Sequence, residues 1–475
     1  MTQGNVRDTP YDVAVIGAGV VGCAIARELA RYEVSVVVLE RSGDVGNGTS
    51  KANTAILHTG FDCVPGSLES SLVSRGYHLL GAYAEEAGIA LERTGGLLVA
   101  WDDEQQAALT SLQEKAEKNG YDATQILSAA QVRDREPNLG EGVRGGLAVP
   151  GESIICPWST VLAYALEAAS AGVSFLLNAQ VTAVARVEGL HVLATGQGDV
   201  RSRWLVNAAG LFSSDVDGLC DHDDFTVTPR RGELVVFDKL ARDLITSIIL
   251  PVPTQRTKGV LIAPTVYGNV LLGPTADDVD DPFATATTEQ GITRLFEAAR
   301  KVVPKLVDEE VTATYAGLRA ATQFQDYQIR VHAGEAYVCV GGIRSTGLTA
   351  SMAIAEYVTG LLGDEGLELT ARMLVPETPD MAPLGEQQLR RYLDAAAIGR
   401  DPAYGQVVCH CERVTQGEIR DACTGVLGAN DLGALRRRTR AMNGRCQGFY
   451  CGAEVVALLS ELSGRSPAAL TGLDS

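Results

Sequence analysis

The stretch YDVAVIGAGVVGCAIARELARYEVSVVVLER, residues 11–41, constrains this chain more than any other. Residues 12–16 read as a short buried strand, Gly17, Gly19 and Gly22 as a GxGxxG turn, and Ile25 and Leu29 as the apolar side of a helix. Val34 to Leu39 read as a second strand, ended by Glu40. The glycines let the backbone turn tightly and approach a pyrophosphate at the helix N-terminus, and an acid at the end of the second strand suits a ribose. GxGxxG alone is a weak signal. Strand, helix, strand and acid in that order mark a dinucleotide site and an α/β, Rossmann-like domain.

Glu40 would suit the ribose of either FAD or NAD, and two distant segments decide between them. RWLVNAAG (203–210) is an apolar strand ending in small residues, and AYVCVGGIRSTGLTASMAIAEYV (336–358) is a strand, then glycines, then a helix. A sheet with strands from the start, middle and end of some 360 residues is an interrupted domain, similar to FAD-dependent oxidoreductases of the D-amino-acid-oxidase-like superfamily. FAD is therefore the expected cofactor. A chain of 475 residues exceeds one ordinary core and calls for two or three domains. The expected division is a discontinuous FAD-binding domain (10–78, 151–222 and 323–365) and a mixed-sheet cap and substrate domain (79–150 and 223–322). A linker (366–404), with a helix near 386–396, leads to a small helical domain (405–475).

The net charge of −19 argues against nucleic acid and anionic membranes as partners. The N-terminus has no basic-then-apolar signal pattern, and no apolar run reaches the length of a membrane span, so the expected location is cytoplasmic. There thiols stay reduced, and paired cysteines read as ligands rather than disulfides. Cys409 and Cys411 in VVCHCERVTQGE, and Cys446 and Cys451 in GRCQGFYCG, are two such pairs. Four thiolates suit a [2Fe-2S] cluster or a tetrahedral zinc, and the CxC spacing leans toward iron–sulfur. Thr415 and Glu418 form a capping box that opens a helix after the first pair. Helices are also expected at 430–442 and 453–462. The remaining cysteines (23, 63, 156, 220, 339, 423) read as small buried side chains. The run RRRTR (436–440) could meet an acidic partner, although a solvated helix face is its plainer reading.

Over residues 10–360 the chain resembles FAD-dependent glycerol-3-phosphate dehydrogenases and oxidases, and their relatives acting on 2-hydroxyglutarate. The resemblance rests on GTSKANTAILHTGFD, PRRGELVVFDK, TKGVLIAPTVYGNVLLGPTADD, YAGLRAATQFQDYQI and GGIRSTGLTASMAIAEYV. The tail, down to GRCQG, resembles the bacterioferritin-associated-ferredoxin-like [2Fe-2S] domain, which also ends the catalytic subunit of the anaerobic glycerol-3-phosphate dehydrogenase. The family's loop often carries Glu-Ser-Pro where this chain has Arg344-Ser345-Thr346.

The resemblance implies cofactor contacts from Gly17, Gly19, Gly22, Glu40, Arg41, Thr49, Ser50, Asn53, Gly210, Gly341, Gly342, Gly347, Leu348 and Thr349. Oxidising a secondary alcohol needs a base for the hydroxyl proton as hydride leaves for the flavin. His58, in TAILHTG, is the expected base; a structural strand histidine is the competing reading. An anionic substrate needs fixed positive charge. Arg319, an arginine in an apolar context, is the first candidate, followed by Lys258 and Arg344, with Ser345 and Thr346 as hydroxyl donors or plain N-caps. The expected activity is oxidation of sn-glycerol 3-phosphate to dihydroxyacetone phosphate, with electrons leaving through the cluster to a partner protein, within an oligomer or heteromeric complex. Alternatives are a 2-hydroxy acid or amine substrate on the same fold, an electron-transfer subunit reduced by a partner, and a zinc-stabilised scaffold on an oxidase.

Overall fold

Alternating buried runs and glycine turns build two sheets and a small helical unit. The computed structural model describes residues 9–253 and 259–472, so Lys258 lies outside the described residues. The first sheet has five parallel strands in the order Ser174–Leu177, Val36–Glu40, Tyr11–Ile16, Val200–Asn207 and Tyr337–Gly341. Gln328–His332 adds an antiparallel edge, and Val181–Val187 with Leu190–Thr195 forms a meander against the first half of Val200–Asn207. Strands from both ends and the middle of the chain thus share one sheet. Ile16 is level with Leu39 and Asn207, and Asn207 with Cys339. The glycine turn, Glu40, Gly210 and Gly341 therefore gather at the carboxyl edge, where open α/β sheets bind ligands.

Helices Val20–Leu29 and Gly347–Asp364 cover one face of this sheet, with Ile25, Leu29, Ile354, Val358 and Leu362 fully or almost fully buried. Side chains of this size each stabilise the fold by roughly 1.5–3 kcal/mol on burial. The Ile354–Val358–Leu362 spacing of four keeps them on one helical stripe.

The second sheet runs Asp277–Asp278, Val227–Phe237, Val270–Gly273, Leu261–Pro264, Ile248–Pro251, Gly96–Ala100, Gly145–Val149 and Gln125–Ser128. Val311–Thr322 lies antiparallel along the other edge of Val227–Phe237. Helix Glu289–Val302 packs Leu295 and Ala299 onto Val235, Phe237 and Leu272, and helix Asp103–Lys118 packs Leu109 and Ala116 onto Leu147 and Val149. A three-stranded ribbon, Ile56–Leu57, Ser153–Ile155 and Leu91–Glu92, lies between the two sheets in sequence and carries His58 at its exit.

The expected helix at 386–396 is replaced by a 3-10 turn at Arg391–Leu393 and a short helix at Ala395–Arg400. Tertiary partners take the polar groups before it: Glu386 pairs with Lys239 and Arg413, and Gln388 donates to the Gly88 carbonyl. Beyond it, a hairpin of Val407–Cys409 and Val414–Thr415 meets helices Gln416–Cys423, Leu432–Thr439, Gly452–Ser463 and Pro467–Thr471. Their core holds Val408, Val414, Ile419, Leu435, Val455 and Leu459. Both hydrogen bonds of the Thr415–Glu418 capping box are present. No helix among the described residues is long and apolar enough to cross a membrane.

Candidate functional site

The glycine turn is shaped by close backbone contact. Gly17 sits at φ +102°, and a Cβ there would lie 2.6 Å from the Ala208 carbonyl oxygen. A Cβ on Gly22 would lie 1.9 Å from the Gly17 carbonyl oxygen, so the helix can start this close only with glycine. The Glu40 carboxylate accepts from Ala18 N and Ser42 N, both at 2.8 Å. That fixes the carboxylate beside the turn and leaves lone pairs for ribose hydroxyls. Ser50 Oγ accepts from Val20 N at 2.9 Å, holding a first-turn amide of the helix. Arg41 lies over Phe212, 3.9 Å from the ring centroid, next to the turn begun by Gly210. The cradle fits a dinucleotide.

The segment after the turn ties this edge to the second sheet. Thr49 donates to the Leu318 carbonyl at 2.8 Å, and Tyr315 donates to the Asn53 carbonyl at 2.8 Å. Gly317 packs so tightly on Ala52 that a Cβ would meet its carbonyl oxygen at 2.1 Å. The strand carrying Arg319 is thereby docked on the segment that leads to His58.

His58 is a quarter exposed at its side chain, whereas its partner Glu152 has no exposed surface. His58 Nδ1 lies 2.9 Å from Glu152 Oε2, and the other carboxylate oxygen accepts from Thr59 N at 2.7 Å and Thr59 Oγ1 at 2.9 Å. The His58 amide donates to Thr349 Oγ1 at 3.0 Å, joining the ribbon to the helix that follows Gly347. Nε2 has no hydrogen-bond partner among the described residues. Burial lowers the imidazole pKa, but attraction and hydrogen bonding to Glu152 outweigh it and leave the pKa raised. A histidine oriented through Nδ1 and open at Nε2 is arranged as a general base. Sequence reading missed Glu152; a lone acid in PGESII carries no local signal of its partner.

The cationic candidates differ in how far they are already engaged. Arg319 has one long hydrogen bond, 3.4 Å to the Thr275 carbonyl, and no carboxylate partner among the described residues. Burial, then Arg230, lowers its pKa. Arg344 is engaged by Glu69 at 3.5 Å and by the Gln325 carbonyl. Thr346 makes no side-chain cap; its hydroxyl donates to Glu69 at 2.7 Å and meets Tyr327 OH at 2.6 Å. Ser345 is exposed, Gly341 and Gly342 are buried, and Leu348 and Thr349 are buried in the first turn of the helix from Gly347.

In the C-terminal unit Cys409 and Cys451 are buried, and Cys411 and Cys446 are half-buried. The thiols meet across the two loops, Cys411 with Cys446 and Cys409 with Cys451. Sequence reading expected each close pair to lie within one loop. No group of three or more His, Cys, Asp or Glu among the described residues is gathered to hold a metal ion. Four thiols in two contacting pairs supply the number and type of donors that a [2Fe-2S] cluster requires. Amides of Tyr450, Gly448 and Phe449 point at Cys446 and lower its pKa, whereas burial pushes Cys451 up to about 12. Arg413, Arg440, Met442 and Gln447 all have positive φ, so the backbone round the thiols is held in conformations that side chains disfavour. Phe449 and Tyr450, between two of the cysteines, are 84% and 79% exposed. Of the other cysteines, 23, 63, 156 and 339 are buried as expected, while Cys220 and Cys423 are only half-buried.

The run at 436–440 is neither a solvated face nor a free docking strip. Arg437 and Arg438 pair with the buried Asp44, Arg440 with the buried Glu412 at 2.8 Å, and Arg436 donates to Asn443. Arg440 also lies 4.0 Å from the centroid of Tyr267.

Residues 12–361 match the family described as FAD dependent oxidoreductase, and residues 407–461 match the BFD-like [2Fe-2S] binding domain. A glycerol 3-phosphate dehydrogenase of Caloramator mitchellensis is 33% identical over 95% of this chain and 94% of its own. An anaerobic glycerol-3-phosphate dehydrogenase subunit A1 of Haloferax volcanii is 25% identical over 92% of this chain and 81% of its own. The solved L-alpha-glycerophosphate oxidase of Mycoplasma pneumoniae, with FAD bound, superposes with a TM-score of 0.74 at 29% identity, covering 78% of this chain and 98% of that one.

Proposed function

The chain belongs to the FAD dependent oxidoreductase family, and from that premise we propose that it oxidises the secondary hydroxyl of sn-glycerol 3-phosphate to dihydroxyacetone phosphate. Its cofactors are FAD and a [2Fe-2S] cluster, and its function is of the glycerol-3-phosphate dehydrogenase and oxidase kind. The observation that carries the substrate reading is a histidine oriented by a fully buried glutamate, on a segment docked against a strand whose arginine has no anionic partner among the described residues.

When bound, FAD accepts the hydride and the cluster relays electrons one at a time. His58 Nε2 takes the hydroxyl proton as the carbon is oxidised, and Glu152 holds the imidazole by Nδ1 and stabilises the imidazolium. Arg319, with Lys258, binds the phosphate; a guanidinium fork matches its oxygens and fixes the carbinol relative to His58. Arg344 shapes the pocket wall through Glu69 rather than contributing free charge. Cys409, Cys411, Cys446 and Cys451 hold the cluster. The exposed pair Phe449–Tyr450 is where an electron-accepting partner protein meets the cluster loop. On this reading residues 10–78, 151–222 and 323–365 bind FAD, residues 79–150 and 223–322 cover the substrate, and residues 405–475 carry the cluster.

An anaerobic absorbance titration with sn-glycerol 3-phosphate tests this. Flavin bleaching followed by loss of the longer-wavelength cluster absorption supports the assignment. A flavin that ignores this substrate but bleaches with a 2-hydroxy acid moves the substrate and leaves the family standing.

A further inference from the structure

Asp44 lies in SGDVGNGTS, between Glu40 and the hydroxyls of Thr49 and Ser50, and is 5% exposed at its side chain. Arg438 grips it with two bonds, Nη1 to Oδ2 at 2.8 Å and Nη2 to Oδ1 at 2.6 Å. Arg437 adds a third contact to Oδ2 and reaches Asn47 Oδ1 at 3.2 Å. Arg438 is itself anchored to the carbonyls of Ala434 and Leu427, so the grip is rigid on the cluster-domain side. These contacts span more than 390 residues of sequence.

The same segment touches the phosphate-binding turn. Gly46 N donates to the Ala18 carbonyl at 2.8 Å, and Ser50 Oγ accepts from Val20 N at 2.9 Å. Ala18 and Val20 flank Gly19 of the GxGxxG turn, and Ala18 N is one of the two amides that hold Glu40. The chain of contacts from the cluster domain to the turn is therefore continuous: Arg438, Asp44, the Gly46 backbone, Ala18. A buried aspartate with its guanidinium partners removed keeps an uncompensated charge in a dry site, so the segment rearranges rather than holding its shape.

We propose that Arg437 and Arg438 are positioning residues of the dinucleotide site. Through Asp44 the cluster domain holds residues 43–50 in the conformation that FAD binding requires, so FAD affinity and the integrity of the cluster domain are linked. Linkage is reciprocal: whatever loosens the cluster domain weakens FAD, and FAD binding steadies the cluster domain by the same factor. The inference does not depend on which alcohol is the substrate.

The test uses the full-length protein, stripped of FAD and titrated with FAD by quenching of flavin fluorescence, with the visible circular dichroism of the cluster recorded alongside. Arg437→Met/Arg438→Met is expected to bind FAD about tenfold or more weakly, within the range usual for coupled sites, with the cluster signal retained. Lys239→Met breaks a different contact of the cluster domain, between the substrate-covering residues and Glu412, together with one to Glu386 of the linker, and is expected to leave FAD affinity at the parent value. Should the double variant lose its cluster signal, Asp44→Asn removes the grip without touching the cluster domain and is expected to give the same loss. Parent-like FAD affinity in Asp44→Asn, or in a double variant with its cluster intact, overturns the proposal. So does an equal loss in Lys239→Met, which would make the effect one of general docking.

Discussion

Replacing Glu152 with Gln removes one charge and almost no volume from a side chain with no exposed surface. The two Thr59 donors fix which end of the new amide faces which way. Thr59 N and Oγ1 both approach Oε1, so the amide oxygen stays there and the NH2 turns toward His58 Nδ1. Nδ1 then has to accept, which moves the imidazole proton to Nε2, the atom proposed to act as the base. Loss of a hydrogen bond to a charged group costs about 1.5–3 kcal/mol, roughly tenfold to 150-fold in rate. Loss of general-base catalysis altogether removes about 10²- to 10⁴-fold. The expected result is therefore flavin reduction by sn-glycerol 3-phosphate slowed by about 10² to 10⁴, measured anaerobically by stopped flow, with FAD content unchanged. In the parent, His58 is protonated and inactive as a base below its raised pKa, so the rate falls toward acid. In Glu152→Gln the cause of the rise is gone, and the acid limb of the residual activity moves to lower pH. His58→Asn/Glu152→Gln should be no slower than His58→Asn, because the two act as one unit. A Glu152→Gln enzyme with the parent rate and the parent acid limb would refute the reasoning.

Arg319→Met should raise KM for sn-glycerol 3-phosphate by about tenfold to 150-fold, the worth of charge-assisted hydrogen bonds to an anion. Oxidation of uncharged glycerol should change little, and equal losses on both substrates would remove Arg319 from the phosphate site. Gly22→Val would force a side chain to where a Cβ already stands 1.9 Å from the Gly17 carbonyl oxygen; the purified protein should lack the yellow flavin spectrum, and normal FAD content would contradict the packing. Cys446→Ser should abolish the cluster's electron paramagnetic resonance signal after reduction while substrate still bleaches the flavin, because the thiol lies in a different unit from His58.

How much of this was legible in the sequence depended on distance along the chain. The turn after Ile16, the strand end at Glu40 and the capping box at 415–418 are each decided by residues a few positions apart, and all three have the local structure read from the sequence. The helix expected near 386–396 failed for the opposite reason. Its polar residues have partners at 88, 239 and 413, and these tertiary partners overrode the helix propensity of its Glu, Gln, Leu and Arg residues.

The arginine run shows the same division. Sequence can register five residues with four positive charges, but whether they face water or a carboxylate is decided by what the fold brings up against them. Asp44, nearly 400 positions away, reverses the meaning of the run from a solvated surface to an internal seam. Glu152 likewise gains its role only when a ribbon of three short strands sets it beside His58. Sequence alone determined the family of folds, the glycine turn and the spacing of the four cysteines, because these rest on backbone turns and short spacings. Only the tertiary structure decided which charges are paired and which histidine nitrogen is left open, since burial and partner distance, not residue type, set the state of an ionisable group.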